Sequence, residues 1–492
     1  MTFLKTSKKK SGTYVYEVEG YRDKDGRVRH RYIRAVGKLD ENGNLIPRMK
    51  VKDVTVEMVK LHGPIRALHQ ITQDLGLETI LGDYTPEILT LVYSHIVRPE
   101  SLNNIKRAIK WIDTDEIGLD LPVSRKRLEK AMDTMTRKIP DIERSLYKRI
   151  DDVCDLTTIF YDISSIYFTG KNVIMAKRGH NSDLPQIGIG LCVEAQYGIP
   201  LFHHLFDGNV FDSKTFPVIL SRLQEFAREK CILIFDRGVA SKKNVSDAVK
   251  NGFSVIACLA LRGKLEQIAV SESQTMGPEH VVELSSVFIY AKEVEPEVVW
   301  EKSARLIVCL NTSLREQIRQ RRYREIKKAV EKLKKGIRIK KGLKEYIRGD
   351  EKPQIDYEKV RESEKHDGLY IVMTTTDFPP EEVVKKYFDR DLIEKSFYSL
   401  KSILSVQPVR HWLTGRVRAH IFICYLAYLH LTWMKMLLKT HNMTMSPVKA
   451  LEMLETIYTV KLTDEKASAS TTKTVPLTKE QEEIYTALKL LS

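Results

Sequence analysis

The chain has 492 residues, 42% of them hydrophobic and 29% charged, with a formal net charge of +15. This length is enough for roughly two to four domains, and the hydrophobic fraction excludes a wholly disordered protein. The basic excess favours a polyanionic partner such as nucleic acid, although a basic protein without such a partner would have the same composition.

Cysteine usage and hydropathy indicate a cytoplasmic protein without a membrane span. The six cysteines lie outside metal-ligand spacing, which is typical of reduced thiols. The N-terminus has no apolar segment long enough for a secretion signal. Residues 421–438 are apolar, but His430 and Lys435 lie within them, so we expect a buried core helix.

Residues 1–57 are predicted to form a small β-rich module with a hairpin turn at Asp25-Gly26. The outgoing strand is indicated by alternating apolar residues at Tyr14, Tyr16 and Val18. The return strand would place three arginines on one face, Arg27, Arg29 and Arg31. That face either contacts a phosphate backbone or is simply solvated.

Residues 58–150 have a helical pattern, with Ser124 as the expected N-cap of a basic helix. A basic helical region of this kind suits recognition of DNA ends, although ordinary helix packing produces the same pattern. Residues 151–262 then predict three antiparallel strands followed by alternating helix and strand, the α/β order of ribonuclease-H-like folds.

Residues 263–365 interrupt this layout as a basic insertion. The stretch from Leu314 to Arg348 contains fifteen Lys or Arg residues and only four Glu residues. An apolar stripe along it predicts an amphipathic helix or helical hairpin with a basic outer face. The imbalance of charge favours DNA contact over a merely solvated face. Residues 366–438 would complete the core. Residues 439–492 would form a helical tail that contains a Ser/Thr-rich linker near 467–474 and a short terminal helix from about Lys479.

Three carboxylates are the candidate catalytic residues. Asp162 and Asp236 each follow a short apolar run and are predicted at or near the carboxyl ends of strands, where active sites of parallel sheets form. Either acid alone is weak evidence, because an acid at a strand end is a common turn residue. Glu394 lies in the segment YFDRDLIEKSFYSLK, where Tyr387, Arg390, Glu394 and Lys401 would share a helix face about 60° wide.

This spacing, Tyr-x2-Arg-x3-Glu-x6-Lys, resembles the hallmark of a group of insertion-sequence transposases similar to insertion sequence four and transposon Tn-five. Further matches are Arg178-Gly179-His180, Asp183-Leu184-Pro185-Gln186, Gly208-Asn209, Asp212-Ser213-Lys214, Asp236-Arg237-Gly238 and His420. The chain departs from the group at Val239, where an aromatic residue is common. The resemblance covers about residues 155–435, with a weaker likeness in the N-terminal 120 residues. It implies a ribonuclease-H-like core with a domain inserted between the second and third acids.

The resemblance and the residues together imply a DNA transposase that cleaves and joins strands at terminal inverted repeats. Three carboxylates form a hard oxygen ligand set for Mg²⁺, or Mn²⁺ in its place, and we expect two ions. DNA-binding roles are expected for Tyr387, Arg390, Lys401, Arg237 and His420. The partners would be double-stranded DNA, as terminal repeats and as target, and a second copy in a synaptic dimer. The alternatives are a ribonuclease-H-like nuclease without strand transfer and a domesticated, catalytically silent DNA-binding derivative.

Overall fold

The computed structural model describes residues 2–40, 42–48, 54–99, 104–119, 123–168, 173–178, 184–226, 231–284, 287–294, 304–349, 352–404, 406, 413–464 and 469–491. Two compact units divide the chain: residues 1–135 with 433–492, and residues 136–432. Each unit draws on several of the six segments expected from the sequence. The mixture of helices and sheets in these units makes this an α/β protein.

The first unit begins with an antiparallel sheet of four strands: β1 (Thr2–Lys9), β2 (Gly12–Arg22), β3 (Val28–Leu39) and β4 (Leu45–Pro47). The expected hairpin turn joins β2 to β3. Asp23 accepts the N–H groups of Asp25 and Arg27 through Oδ1, and Gly26 takes the left-handed conformation with φ of 78°. Arg27 precedes β3, so only two of the three predicted arginines belong to the strand.

A strand, β5 (Val54–Leu61), precedes the helices α1 (Gly63–Asp74), α2 (Leu77–Leu81), α3 (Thr85–Val97), α4 (Ile105–Trp111) and α5 (Arg125–Asp151). The helical prediction from residue 58 onwards was therefore wrong at its start. Val54, Val56 and other β-formers pair with a strand some 400 residues later, a partner that local periodicity does not reveal. The predicted cap of α5 is confirmed, since Ser124 Oγ accepts the Arg127 N–H at 3.2 Å.

The second unit is built on one large sheet. Its first elements are β6 (Thr158–Tyr167), β7 (Lys177–Arg178), β8 (Pro185–Glu194), β9 (Pro200–Asp207), α6 (Asp212–Phe226), β10 (Ile232–Phe235), α7 (Lys242–Lys250) and β11 (Ser254–Leu259). The spatial order is β9-β8-β6-β10-β11, in which β8 is antiparallel to β6 and to β9, and β10 and β11 are parallel to β6. The predicted succession of strands and helices is confirmed, and β10 is buried throughout, as expected of a central parallel strand.

The basic segment extends this sheet. Its elements are α8 (Lys264–Ser273), β12 (Val281–Glu283), β13 (Phe288–Val294), β14 (Arg305–Asn311), α9 (Thr312–Lys334), β15 (Ile347–Arg348), β16 (Gln354–Ile355) and α10 (Tyr357–Glu364). Strand β17 (Leu369–Thr374) lies between β14 and β11 and is antiparallel to both. The segment was expected to interrupt the core, but β12, β13 and β14 continue its sheet, because their apolar residues need a buried partner strand.

Helix α9 confirms the amphipathic basic helix, with Ile326 and Ala329 buried. The alternative of a helical hairpin was wrong. Gly336, at φ of 71°, follows the helix end, and residues 341–348 form a 3₁₀ turn and the short strand β15 rather than a second helix.

The remaining elements are α11 (Pro380–Phe388), α12 (Asp391–Tyr398), a π-helical turn (Ser399–Ile403), α13 (Thr414–Thr440), α14 (Pro447–Leu454), β18 (Tyr458–Asp464), β19 (Ala469–Thr474) and α15 (Lys479–Ala487). The helical tail and Ser/Thr-rich linker were wrong in part. Strands β18 and β19 form a sheet with β5, which suits the β-branched threonines of residues 471–474.

Helix α13 is long and apolar enough to cross a membrane by length and composition, but 94% of its most apolar window is buried inside the protein. The expectation of a core helix is confirmed. His430, which argued against a membrane span, is fully buried and hydrogen-bonded through Nδ1 to the Leu426 carbonyl at 2.7 Å.

Candidate active site

Two of the three candidate acids lie side by side in the large sheet. Strands β6 and β10 are parallel neighbours, with Tyr161 opposite Phe235. The residues that follow these two, Asp162 and Asp236, therefore lie next to each other. Asp162 was expected at or near the end of its strand, but it lies in the middle of β6. Strand β10 ends at Phe235, but β6 continues to Tyr167 because its other edge remains paired with β8.

The segment from Tyr387 to Lys401 is not the single straight helix that the spacing predicted. Helix α11 ends at Phe388 and α12 begins at Asp391. Between them the Arg390 and Leu392 N–H groups bond three residues back, to Tyr387 and Asp389, which tightens the turn. The π-helical turn then widens the path around Lys401, and such turns are frequent at functional sites.

Despite these breaks, Arg390 lies among all three acids. Its Nη2 donates to Glu394 Oε1 at 3.0 Å and lies 4.0 Å from Asp236 Oδ1, and its Nη1 lies 3.6 Å from Asp162 Oδ2. The Arg390 side chain is 14% exposed, against 56% for the Glu394 side chain. One largely buried cation therefore lies among three carboxylates that would otherwise repel one another.

Tyr387 and Lys401 lie on two sides of this group. The Tyr387 hydroxyl donates to Asp236 Oδ1 at 3.3 Å and also contacts the Cys258 thiol. Lys401 Nζ donates to Ser164 Oγ at 2.6 Å. Ser164 follows Asp162 by two residues on β6, so both side chains point to the same face. No local sequence pattern singles out Ser164 or Cys258, because both roles arise only from the packing of distant segments.

Burial dominates the electrostatics of the site. It raises the pKa of Asp162 to about 6, although the Ile163 N–H and the Arg390 guanidinium both favour the ionised form. Burial likewise raises the pKa of Tyr387 far above its usual value, so its phenol stays protonated and acts as a donor. The pKa of Lys401 is lowered by burial, against the opposing pull of Asp162.

Gly238 shows how tightly the turn after Asp236 is packed. A Cβ at this position would lie 2.9 Å from Asp212 Oδ2 at the start of α6. Asp212 is therefore a fourth acid near the site, noted in the sequence only as part of a motif. Val239, where the chain departs from the resembling group, is buried and donates its N–H to the Asp236 carbonyl at 3.1 Å.

Other expected residues lie at the margin. Arg237 is exposed next to Asp236. His420 is half-buried on α13, and its Nε2 lies 3.2 Å from the Val406 carbonyl. Of the motif residues, Gly179, His180 and Asp183 lie outside the described residues.

A cleft of about 960 Å³ opens beside Tyr387, Arg390 and Glu394. Its other walls are formed by Ala195 and Gln196, by the start of α12, and by Glu283, Leu284 and Val287. The third acid thus faces open space large enough for a bulky substrate.

Two family models match parts of this chain. Residues 162–429 match the transposase DDE domain, beginning at Asp162 and including Asp236 and Glu394. Residues 4–51 match the N-terminal domain of IS1634 family transposases. No curated protein gives a significant match.

Among solved structures, the piggyBac transposase synaptic complex with hairpin DNA is similar to this chain. The alignment covers 80% of this chain and 70% of the piggyBac chain. Sequence identity is 9% and the TM-score is 0.39, so this likeness is only distant. The DDE-domain match, by contrast, covers more than half of the 492 residues. The resemblance seen in the sequence is confirmed: this chain belongs to the DDE transposase family and is an insertion-sequence transposase.

Proposed function

We propose that this transposase cleaves and joins DNA strands with Asp162, Asp236 and Glu394 as its catalytic and metal-binding residues. The observation that carries the proposal is the convergence of these three carboxylates on the Arg390 guanidinium, although they lie up to 232 residues apart in sequence. Bringing three acids and a cation together out of water costs desolvation free energy. Charge clusters of this kind are frequent at functional sites.

The core is proposed to be ribonuclease-H-like. The order β9-β8-β6-β10-β11, with three antiparallel strands followed by two strands parallel to the first, supports this assignment. Asp162 lies within the first strand, and Asp236, which directly follows the fourth of these strands, lies beside it. Glu394 reaches the same place from a helix after the sheet.

The donor chemistry suits a divalent cation. Mg²⁺ and Mn²⁺ prefer carboxylate oxygens as ligands. The three acids all lie within 4.0 Å of the Arg390 guanidinium, so their oxygens already surround one positive charge. We propose that the three acids hold Mg²⁺, two ions per site. When bound, such ions activate the attacking oxygen and stabilise the leaving one.

The cationic and aromatic residues would hold the DNA. Arg390 is proposed to turn from the acids to a phosphate near the scissile bond, and Lys401 to hold a second phosphate from its place beside Ser164. Tyr387 would keep Asp236 oriented through its hydroxyl and would contact the DNA end from its place in the wall of the cleft. Exposed Arg237 would contact the backbone, and we keep His420 as a proposed contact at the margin of the site.

The wider DNA path is proposed to include the helical region of residues 58–150 and the exposed basic side of α9. The substrate would be double-stranded DNA, bound as terminal inverted repeats and as target, by a synaptic dimer in the cytoplasm. A freed 3′-hydroxyl would then attack either the target or the opposite strand.

The decisive experiment incubates the full chain with its own flanking DNA and Mg²⁺ and separates nicks, hairpins and strand-transfer products on a denaturing gel. Joined products support the transposase, whereas cleavage without joining supports a nuclease. Binding without any cleavage supports a silent derivative. Asp162→Asn, Asp236→Asn and Glu394→Gln should each remove cleavage and retain binding. Full cleavage by any of them would overturn that residue's assignment.

A further inference from the structure

The N-terminal sheet has two chemically different faces. Directly paired residues of neighbouring strands point to the same side of a sheet. Lys5 pairs with Tyr16, Phe3 with Val18, and Val18 with Tyr32. We call this side the aromatic face, and its polar and ring-bearing members include Phe3, Lys5, Lys9, Tyr16, His30 and Tyr32.

Acidic residues of these strands lie on the opposite face. Glu17 pairs in register with Leu4 and binds Arg34 at 2.6 Å, and Glu19 lies opposite Arg31. Arg29 is held at 3.0 Å by Asp23 in the turn. The arginines that first suggested a phosphate contact are therefore partly neutralised, whereas no Asp or Glu of β1 to β4 shares the aromatic face.

The rings of the aromatic face cluster but remain accessible. Phe3 meets His30 edge to face at 5.1 Å, and Tyr16 meets Tyr32 at 5.9 Å. Phe3 is nevertheless 43% exposed and Tyr32 58%. Within the described part of this sheet only Val15 and Val18 are buried hydrophobic side chains, so the rings do not serve a core of its own.

We propose that the aromatic face binds a DNA strand with unpaired bases. Lys5 and Lys9 would hold phosphates, and the exposed rings of Phe3 and Tyr32 would stack on bases, which in a duplex are covered by their neighbours. Lys5 and Lys9 also argue against a second copy of this face as the occupant. The aromatic face carries basic but no acidic residues, so two copies of it would repel each other. The inference rests on the proposed function and gives the N-terminal module a separate role in it, which is to hold a strand freed by cleavage.

The test measures binding of the full chain to a labelled single-stranded oligonucleotide and to the duplex of the same sequence, by fluorescence anisotropy without divalent metal. Tyr32→Ala and Lys5→Ala should weaken single-strand binding about tenfold, and Lys5→Ala should also lower the salt slope by about 0.7. The matched controls are Tyr21→Ala and Lys8→Ala, which change the same residue types at exposed positions on the opposite face. Both controls should stay within about twofold of the unmodified chain.

Equal losses in both pairs, unchanged binding by Tyr32→Ala, or a loss confined to duplex DNA would each overturn the inference. A sedimentation coefficient of Tyr32→Ala that differs from that of the unmodified chain without DNA would also overturn it. Such a difference would indicate that the aromatic face binds a second copy of the chain. Circular dichroism of each variant ensures that the sheet is folded. Metal-dependent cleavage by the unmodified chain reports on the proposed function separately, so failure of one is distinguishable from failure of the other.

Discussion

The Arg390 guanidinium donates to Glu394 across a single turn of helix at 3.0 Å while its other nitrogen approaches Asp162 at 3.6 Å. Arg390 thus supplies one positive charge that the three acids share, and the proposed divalent ion would have to compete with it. Any cation entering the site competes with an internal one.

Arg390→Gln should therefore tighten Mn²⁺ binding about tenfold, because the competing charge is removed while the carboxylates remain. Isothermal titration calorimetry measures this directly. Cleavage should fall at the same time, since the phosphate contact is lost. Lys395→Gln is the control: its ammonium pairs with Asp391 and is 72% exposed, so Mn²⁺ affinity should not change. Weaker Mn²⁺ binding by Arg390→Gln would contradict the competition.

Asp162→Asn should stabilise the metal-free protein at alkaline pH. Burial raises the pKa of Asp162 from 3.8 to about 6, so the folded state binds this proton more tightly than the unfolded state. The carboxyl's contribution to stability is full below about pH 4 and is lost as pH rises through about 6. Asn cannot ionise, and the variant should gain up to about 3 kcal/mol at pH 8 and much less at pH 4. Urea unfolding in EDTA at both pH values checks this, and equal gains would contradict it.

Lys401→Met should weaken binding of terminal DNA and lower the salt slope by about 0.9, the value for one phosphate. Lys401→Arg should restore the slope, because the charge is kept beside Ser164. Anisotropy titrations over a range of salt concentrations give both slopes. An unchanged slope in Lys401→Met would show that this ammonium serves only the fold.

Tyr387→Phe should reduce cleavage by about tenfold, since a hydrogen bond to a carboxylate contributes roughly 1.5–3 kcal/mol and this one, at 3.3 Å, is long and so falls at the weak end of that range. Tyr387→Ala should also lower stability by about 3 kcal/mol, because the ring is only 8% exposed. Single-turnover cleavage and urea unfolding separate the two effects. A loss of cleavage in Tyr387→Phe as large as in Asp236→Asn would mean that the hydroxyl takes part in the reaction itself.

Glu143→Ala should destabilise the second unit by about 3–5 kcal/mol without a direct effect on cleavage. Glu143 is fully buried and binds both Arg222 and His203 at 2.7 Å, so its loss removes the carboxylate partner of the buried His203 ring and one of the two hydrogen-bonding partners of Arg222, which keeps its bond to the His203 carbonyl. Glu225→Ala is the matched control, because Glu225 forms an exposed pair with Arg144 and should cost less than about 1 kcal/mol. Similar costs in the two variants would contradict this interpretation.

The sequence predicts what depends on neighbours along the chain. The Ser124 cap, the turn at Asp25-Gly26 and the strands leading to Asp162 and Asp236 follow from local residue types, and so does the spacing that singles out Arg390 and Glu394. It does not predict what depends on distant partners. Strand β5 needs β18, and the path from Tyr387 to Lys401 bends where packing against the sheet replaces ideal helical hydrogen bonds.

The position of β17 has a consequence for when the enzyme becomes active. This strand lies between β11 and β14, so the sheet cannot close until residue 374 is available, and Glu394 follows only after it. A growing chain therefore carries Asp162 and Asp236 for more than a hundred residues before the third acid exists. Under the proposed assignment, a fragment released by a ribosome that stops before Glu394 lacks one of the three acids and should be unable to cut DNA.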